Sequence, residues 1–451
     1  MQSRALLILS LVLGSVLPAA MAPDVMAPDV TRMDQVAQSF TANNQFMGCI
    51  LVARGDEVLI SRGYGSANLE WNIANTPTTR FRIASVTKQF TAAAILLLEE
   101  RGALKLDDPI GKYLPDAPAA WKKITFFNLL THTSGIGDLN AFPELAAFKV
   151  IHSTPEDLVG KFRDKPLLFA PGAGYRYSNL GYILLGYLIE RISGKPYATF
   201  VRENFFDPLG MKDSGYDSNS EIIPHRAAGY SRSRNGLTNA PFIDMSVPFA
   251  AGGLFSTTED LLRWERGLFG GRLLSAESLR KMTTPCQGGY GLGLGIVTGN
   301  GRRLFSHEGA IEGFNTYLGY YPDEQVTVVV LGNLAGQAPE AIGNYLGALA
   351  HREQVRLPSE RTEIAMSPML LQQYVGTYVM ENGERNQVTL EGGYLATQIA
   401  GHAKFQLLPE AADKFFIKDL DRQFEFVRNA KGVLTTMVLH QGAATLPARR
   451  Q

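Results

Sequence analysis

The pattern of this 451-residue chain changes near residue 353. Before that point, β-rich runs at 48–53 and 57–63 and again between 290 and 331 enclose a long region of helical periodicity and Gly/Pro turns. The later runs predict strands at 290–297, 303–307, 316–321 and 327–331, followed by a helix at 340–351. Strands at both ends of a domain, with helices between them, are typical of an α/β sandwich. We therefore predict an α/β (α+β) sandwich with an all-helical insertion for residues 34–352.

The C-terminal part of the chain has a different character. Residues 353–367 are rich in charge and proline with little periodicity, as expected of a linker. From 368 to 451, short β-rich runs alternate with Gly, Asn and Asp, and they predict strands at 374–378, 386–390, 394–399, 415–418, 424–427 and 433–439. This spacing predicts a separate, small antiparallel β domain, either a lipocalin-like barrel or a sandwich.

The N-terminus has the features of a secretory signal. Arg4 precedes an uncharged apolar run at 5–17, and Ala20-Met21-Ala22 forms a cleavage pattern, which predicts a signal peptide over 1–22. The run is short for a membrane helix, so we expect an exported periplasmic or extracellular protein without a stable membrane span; an uncleaved anchor is the alternative. Residues 23–33, which repeat Met-Ala-Pro-Asp-Val in part, are predicted to be a spacer.

Charge and metal-ligating residues exclude some classes of function. The formal net charge of +0 gives no reason to expect a nucleic-acid partner. The seven histidines include no close pair with metal-ligand spacing, so neither a metal nor a cofactor is expected. Cys49 and Cys286 lie far apart in the sequence, and we expect them to be unpaired thiols, with a disulfide between them as the alternative that export would permit. The oligomeric state is left open.

The first candidate functional motif is Ser85-Val86-Thr87-Lys88, where a loop enters the apolar helical stretch 89–101. Residues three apart share one face of a helix, so Lys88 can reach the Ser85 hydroxyl at a helix N-terminus that favours negative charge. This arrangement can activate a serine as a nucleophile. The motif is not sufficient by itself, because Ser278-Leu279-Arg280-Lys281 has the same spacing.

Two later motifs supply possible partners. Tyr177-Ser178-Asn179 follows a Gly/Pro loop and precedes a helical stretch, so its phenol could transfer protons and its amide could hold a substrate. His307-Glu308-Gly309 ends a predicted strand. The missing side chain of Gly309 would let a substrate lie along the strand, near a backbone N–H that stabilises an oxyanion. Taken singly, each motif also fits a structural role.

In this order, the three motifs resemble those of the superfamily of class C β-lactamases and penicillin-binding proteins, which are serine hydrolases. The resemblance covers about residues 33–351 and implies a β-lactamase/DD-peptidase-like sandwich. It also implies a role for each matched residue. Ser85 would be the acylated nucleophile, Lys88 would assist its deprotonation, and Tyr177 would relay protons. Asn179 would position the substrate, and the N–H groups of Ser85 and Ala310 would form the oxyanion hole. His307 would line the site near Tyr177 in place of the motif lysine.

Two departures from the family pattern bear on the substrate. A histidine in place of lysine resembles the D-stereospecific peptidases of the superfamily. Glu308 stands where a small hydroxyl residue binds a substrate carboxylate, so it would repel a carboxylate and could attract an amine. Alternatively, Glu308 turns away and pairs with Arg302 or Arg303.

We therefore expect an enzyme that forms an acyl-enzyme on Ser85, most simply a peptidase on D-amino-acid-containing peptides of the DD-carboxypeptidase or D-aminopeptidase type. The expected partner is a small peptide or ester, with the cell wall as one source. The alternatives are a carboxylesterase or weak β-lactamase and, in a different class, a non-catalytic penicillin-binding or regulatory protein.

Overall fold

In the computed structural model, the described part of the chain comprises residues 29–451 without 234, 300, 381–382, 400–403, 419–420 and 442–443. The predicted signal peptide, residues 1–22, lies outside the described residues, as does most of the predicted spacer. The first helix begins at Val30 because the Asp29 side chain caps it, so residues 30–33 of that spacer are helical and Met33 is fully buried. Within the described residues, no helix is both long and apolar enough to cross a membrane.

The helices are listed here in chain order: α1 (Val30–Ala42), α2 (Thr87–Glu100), α3 (Phe126–Leu130), α4 (Leu145–Phe148), α5 (Pro155–Phe162), α6 (Asn179–Ser193), α7 (Tyr197–Val201), α8 (Asp207–Leu209), α9 (Phe249–Gly252), α10 (Thr258–Phe269), α11 (Ala276–Met282), α12 (Ala338–Ala350) and α13 (Pro368–Leu371). The strands before the C-terminal domain are β1 (Gly48–Arg54), β2 (Glu57–Tyr64), β3 (Ser66–Asn68), β4 (Ile73–Ala74), β5 (Phe81–Arg82), β6 (Gly215–Tyr216), β7 (Tyr230–Ser233), β8 (Gly236–Asn239), β9 (Leu254–Ser256), β10 (Gly295–Gly299), β11 (Arg302–Ile311), β12 (Phe314–Tyr321) and β13 (Val326–Gly332).

The central sheet contains six antiparallel strands in the order β10-β11-β12-β13-β1-β2. Its N- and C-terminal segments meet where β1 pairs with β13, with Gly48 opposite Gly332 and Arg54 opposite Val326. This pairing of the two ends of the domain confirms the predicted α/β sandwich.

Helices cover both faces of the sheet. Successive side chains of a strand point to opposite faces, and β13 shows this directly. Val328 and Val330 join the apolar core beneath α1 and α12, whereas Val329 and Leu331 join the core that contains α2 and the helical region. The candidate motifs lie on the α2 side of the sheet.

The α2 helix runs through the middle of the larger core. Its predicted extent, 89–101, agrees with the observed helix to within two residues, and it is preceded by the short 3-10 turn Ala84–Val86. Phe90, Ile95 and Leu96 are fully buried, so the helix is enclosed by apolar side chains rather than lying at the surface. This burial extends to Lys88 on its first turn.

The strand predicted over 290–297 is wrong in its first half. Ladder pairing begins only at Gly295, and residues 290–294 form a turn closed by a bridge between Tyr290 and Gly295. Gly293 has φ of 80° and lies against α2, where a Cβ would meet the Lys88 carbonyl oxygen. The turn therefore needs glycine at position 293, and it places the Tyr290 hydroxyl 2.8 Å from His307.

The C-terminal domain is a closed antiparallel barrel of eight strands, which confirms the barrel form of the prediction. Its strands are β14 (Gly376–Met380), β15 (Arg385–Glu391), β16 (Tyr394–Ile399), β17 (Phe405–Ala411), β18 (Lys414–Phe416), β19 (Arg422–Arg428), β20 (Leu434–Gln441) and β21 (Ala444–Arg450). The sequence did not predict β17 and β21. Each contains a proline, which argues against a strand, but Pro409 lies at a register shift and β21 closes the barrel onto β14 and β20.

The barrel rests on the outer helix of the sandwich. The Tyr345 hydroxyl of α12 donates a hydrogen bond of 2.7 Å to Asp421, which also accepts one of 2.9 Å from Arg361. The same helix carries Glu340 in its first turn, at the edge of the site described below.

Candidate active site

Ser85 lies in a strained turn at the start of α2. Ala84, the residue before it, has φ of 46°, a conformation that residues with a Cβ rarely adopt. The turn is held against β11 and β12, where the Thr316 hydroxyl donates a hydrogen bond of 3.0 Å to the Ile83 carbonyl. Ser85 remains half-buried and lines a cavity.

Lys88 is fully buried beside Ser85. Its ammonium group has three protons, and Nζ donates to Ser85 Oγ at 3.1 Å, Asn179 Oδ1 at 2.8 Å and the Ala251 carbonyl at 2.8 Å. Burial lowers the pKa of Lys88 to about 7, and the negative charge of Asp138 opposes this effect. Near neutral pH, a large share of Lys88 is thus unprotonated and can accept the proton of the Ser85 hydroxyl.

Asn179 joins Lys88 to Asp138. The Asp138 Oδ1 accepts hydrogen bonds from the backbone N–H of Asn179 at 2.9 Å and from its Nδ2 at 3.0 Å. The amide is therefore oriented with its oxygen toward Lys88. Asp138 belongs to none of the three motifs, so the sequence did not indicate its part in the site.

Tyr177 completes the group around the nucleophile. Burial raises the pKa of Tyr177, although its hydrogen bond to the Ser85 hydroxyl opposes that shift. The Lys88 Nζ lies 4.9 Å from the centre of the Tyr177 ring. At neutral pH the phenol keeps its proton, so Tyr177 can act as the acid of the site while Lys88 acts as the base.

His307 lines the cavity but carries no charge. Its Nδ1 lies 2.6 Å from the Glu308 carbonyl, which can only accept, so Nδ1 is the donor and Nε2 accepts from the Tyr290 hydroxyl at 2.8 Å. Burial and the nearby charge of Lys88 lower the pKa of His307 to about 3. A substrate carboxylate would find no cation here. Tyr290 is absent from the predicted site, because the sequence predicts a strand rather than a turn at 290–294.

Gly309 is required by the packing of the Ser85 turn, a role that the sequence did not indicate. A Cβ at this position would collide with Thr316 Oγ1, with the Ile83 carbonyl and with Ala84. The glycine is therefore required because the Ser85 turn lies directly on β11, and the expectation that it also lets a substrate lie along the strand stays a prediction. Ala310, one residue on, is exposed and lines the same cavity as Ser85, and its part in an oxyanion hole stays a prediction.

Glu308 does not pair with either arginine that was considered for it. Arg302 contacts Glu324 and Glu353, and Arg303 contacts Asp323. Instead, the Glu308 carboxyl group meets that of Glu340 on α12. Partial burial raises the pKa of both groups, and the charge of Glu340 raises the pKa of Glu308 further, so the pair holds a shared proton near neutral pH.

The cavity beside Ser85 has a volume of about 880 Å³. Its wall includes the site residues Ser85, Tyr177, Asn179, Tyr290, His307, Glu308, Gly309, Ala310 and Glu340. Among the described residues that line it there is no lysine or arginine. Its charged groups are therefore the two carboxyls, and Lys88 contributes from beneath the surface.

The second Ser-x-x-Lys motif does not form a site. Ser278 is buried and lies 3.3 Å from the Ser275 hydroxyl, while Lys281 donates to Glu99 at 2.9 Å. Cys49 and Cys286 are free thiols, as expected. In the described part of the chain, no group of three or more metal-ligating side chains is placed to hold a metal ion.

The fold and the Ser85–Lys88–Tyr177 arrangement define a hydrolase of the active-site-serine class. The chain belongs to the Beta-lactamase family, whose model matches residues 33–352. The barrel corresponds to a second model, a domain of unknown function called DUF3471, over residues 360–448.

Known proteins similar to the chain agree with this assignment. It is 28% identical over 429 residues to a penicillin-binding protein of Bacillus subtilis, covering 89% of this chain and 94% of that protein. The octameric penicillin-binding protein homologue from Pyrococcus abyssi has a TM-score of 0.68 and 28% identity over 93% of this chain and all of that one. The D-amino acid amidase from Ochrobactrum anthropi has a TM-score of 0.63 and 26% identity over 72% of this chain and 98% of that one.

Proposed function

We propose that the protein is an acyl-serine peptidase or amidase for D-amino-acid substrates whose leaving group lacks a carboxylate, that is, of the aminopeptidase rather than the DD-carboxypeptidase type. The observation that carries the proposal is the carboxyl pair Glu308–Glu340 in a cavity whose described wall has no lysine or arginine. The similarity to a D-amino acid amidase supports the D-residue preference.

In the proposed reaction, Ser85 Oγ attacks the substrate carbonyl carbon while its proton moves to Lys88 Nζ. The N–H groups of Ser85 and Ala310 stabilise the oxyanion. Tyr177 gives its proton to the departing amine and recovers one through Lys88. Water then attacks the acyl-enzyme by the same route in reverse, which releases the acid and regenerates Ser85.

The electrostatics of the cavity separate the possible leaving groups. Two like charges 4 Å apart repel by about 4 kcal/mol at an effective dielectric constant of about 20. Because the carboxyl pair retains a proton near neutral pH, we expect a smaller effect, a discrimination of about 100-fold against a leaving group with a free carboxylate. Penicillins also carry a carboxylate near the scissile bond, so the same reasoning predicts weak β-lactamase activity.

An esterase activity on short, uncharged esters is the second candidate. Such substrates meet no repulsion from Glu308 and need only the acyl-enzyme chemistry of Ser85 and Lys88. We expect this activity to accompany the amidase activity.

The test compares four substrates that differ in one group at a time: D-alanyl-D-alanine and its C-terminal amide, each with a free or an acetylated N-terminus. We expect kcat/KM to be about 100-fold higher for the amides than for the free acids. The Glu308→Gln and Glu340→Gln variants should reduce this ratio to below about tenfold. Equal or faster cleavage of the free acids would refute the proposal and indicate a carboxypeptidase.

A covalent label tests the nucleophile separately. An uncharged alkyl fluorophosphonate should modify Ser85, and mass spectrometry should find no adduct in Ser85→Ala. The matched control is Ser278→Ala, which removes the serine of the second motif and should be labelled normally. An adduct on Ser278, or one that persists in Ser85→Ala, would contradict the assignment.

A further inference from the structure

Ser85 also lines a second, smaller cavity with a different character. This pocket has a volume of about 240 Å³. Its apolar wall is formed by Leu139, Leu145, Ile183, Ile243, Val247 and Ile311. Asn179 and Ala310 reach it as well, so it opens directly onto the nucleophile and the predicted oxyanion hole.

The charged groups of this pocket neutralise each other. Lys149 Nζ and Glu312 Oε1 form an ion pair of 2.8 Å that joins the segment after α4 to the turn after β11. Both side chains are largely shielded from solvent. The pocket therefore presents an apolar interior with no net charge, which favours an apolar ligand group.

The placement of Tyr177 indicates which part of a substrate enters this pocket. Tyr177, which protonates the leaving group in the proposed reaction, lines the larger cavity but not the apolar pocket. The leaving group therefore occupies the larger cavity, beside Glu308. The acyl part lies on the other side of the carbonyl carbon that Ser85 attacks. It therefore occupies the apolar pocket.

We propose that this pocket binds the side chain of the acyl residue and selects a large apolar side chain, aromatic or branched aliphatic. This inference rests on the proposed function. Its volume is ample for such a group, since an apolar cavity of about 150 Å³ binds benzene. The substrate class is thereby narrowed to hydrophobic D-aminoacyl compounds with an uncharged leaving group.

Two p-nitrophenyl esters, the acetate and the 3-phenylpropanoate, test the pocket. They share a leaving group and differ only in the acyl part, and neither contains a D-residue. Burial of the benzyl group should raise kcat/KM of the wild-type protein by about 30-fold over acetate. Leu145→Trp fills the pocket and should bring this ratio to about 1 while acetate is still hydrolysed. The matched control is Ala146→Trp on the same helix, where the side chain is exposed and the ratio should stay at about 30.

A second variant keeps the test independent of the folding of Leu145→Trp. Leu145→Ala enlarges the pocket and should increase the preference for 4-phenylbutanoate over 3-phenylpropanoate by about fivefold or more. An unchanged ratio in both Leu145 variants, or an equal loss for acetate and 3-phenylpropanoate, would overturn the pocket assignment. If the protein selects among the esters by their acyl group but shows no preference for D-residues, the proposed function is refuted while the assignment of the pocket stands. Ester hydrolysis that persists in Ser85→Ala would overturn the nucleophile.

Discussion

Asp138→Asn isolates the charge that Asp138 places near Lys88. The asparagine oxygen can still accept hydrogen bonds from Asn179, so the orientation of that amide is kept while the negative charge is lost. The negative charge raises the pKa of Lys88, so its removal lowers that pKa. More of Lys88 is then unprotonated at a given acidic pH, and the low-pH limit of Ser85 acylation shifts to lower pH.

The size of the shift follows from the geometry. The side-chain amide of Asn179 lies between the two charges and makes a hydrogen bond of 2.8 Å to Lys88 and one of 3.0 Å to Asp138. Lys88 Nζ and Asp138 Oδ1 are therefore within about 8 Å of each other. At an effective dielectric constant of about 20, Coulomb's law gives ~2 kcal/mol, or ~1.5 pKa units. We therefore expect the midpoint of the acid limb, near the Lys88 pKa of about 7 in the wild-type protein, to move down by about 1 to 2 pH units.

The other titratable groups that face Lys88 do not obscure this effect. Burial lowers the pKa of both His132 and His307, and it raises the pKa of both Tyr177 and Tyr182. All four side chains therefore stay uncharged through the neutral range. Glu308, whose pKa is raised to about 7, titrates in the same range as Lys88, so the change in midpoint between Asp138→Asn and the wild-type protein, rather than the midpoint itself, reports on Lys88.

The assay is the second-order rate of Ser85 labelling by an uncharged alkyl fluorophosphonate between about pH 4.5 and 9. The control is Asp116→Asn, which removes an exposed carboxylate that contacts Arg163, and its midpoint should not move. A purely structural effect of Asp138→Asn would lower the rate at every pH without moving the midpoint. An unmoved midpoint, or one displaced to higher pH, would refute the role of this charge.

Two stability predictions follow from buried groups. Gly309→Ala should lower the free energy of unfolding by about 1 to 3 kcal/mol and slow Ser85 labelling, because the added Cβ collides with Thr316. The control is Gly299→Ala, where the added Cβ meets open space. Thermal unfolding and the labelling rate should show neither effect in this control. Glu265→Gln should stabilise the protein increasingly as the pH rises above about 4.5, by up to ~1.4 kcal/mol per pH unit, because burial raises the pKa of Glu265 and unfolding of the wild-type protein then releases a proton. A stabilisation that shrinks as pH rises would contradict the latter.

Local patterns in the sequence predicted the parts of the site that depend on local structure. Ser85 and Lys88 meet because residues three apart share a helical face, and the observed contact of 3.1 Å follows from that spacing. Apolar periodicity likewise located α2 and the later strands of the sheet. By contrast, β17 and β21 were missed because their prolines oppose strand formation and only barrel closure accommodates them.

The partners of the site residues depend on long-range contacts that no local pattern encodes. Asp138 is 41 residues from Asn179, and Tyr290 is 17 residues from His307 in a turn that resembles a strand in sequence. Glu340 lies in the first turn of the helix that packs on the outer face of the sheet, and it reaches Glu308 only because that helix packs on β12 and β13. A sequence pattern could indicate that Glu308 was unusual, but not which group it would meet.

His307, which stands in place of the motif lysine, changes the charge of the site. A lysine at this position would place a second cation beside buried Lys88, where both would be poorly solvated and would repel each other. A neutral histidine avoids this cost, and its Nε2 instead holds the Tyr290 hydroxyl against the cavity wall. The loss of the cation also removes the attraction for a substrate carboxylate, and the pair Glu308–Glu340 turns that loss into repulsion. His307 and Glu308 therefore act in the same direction, since each disfavours a carboxylate on the leaving group, and the proposed specificity depends on both.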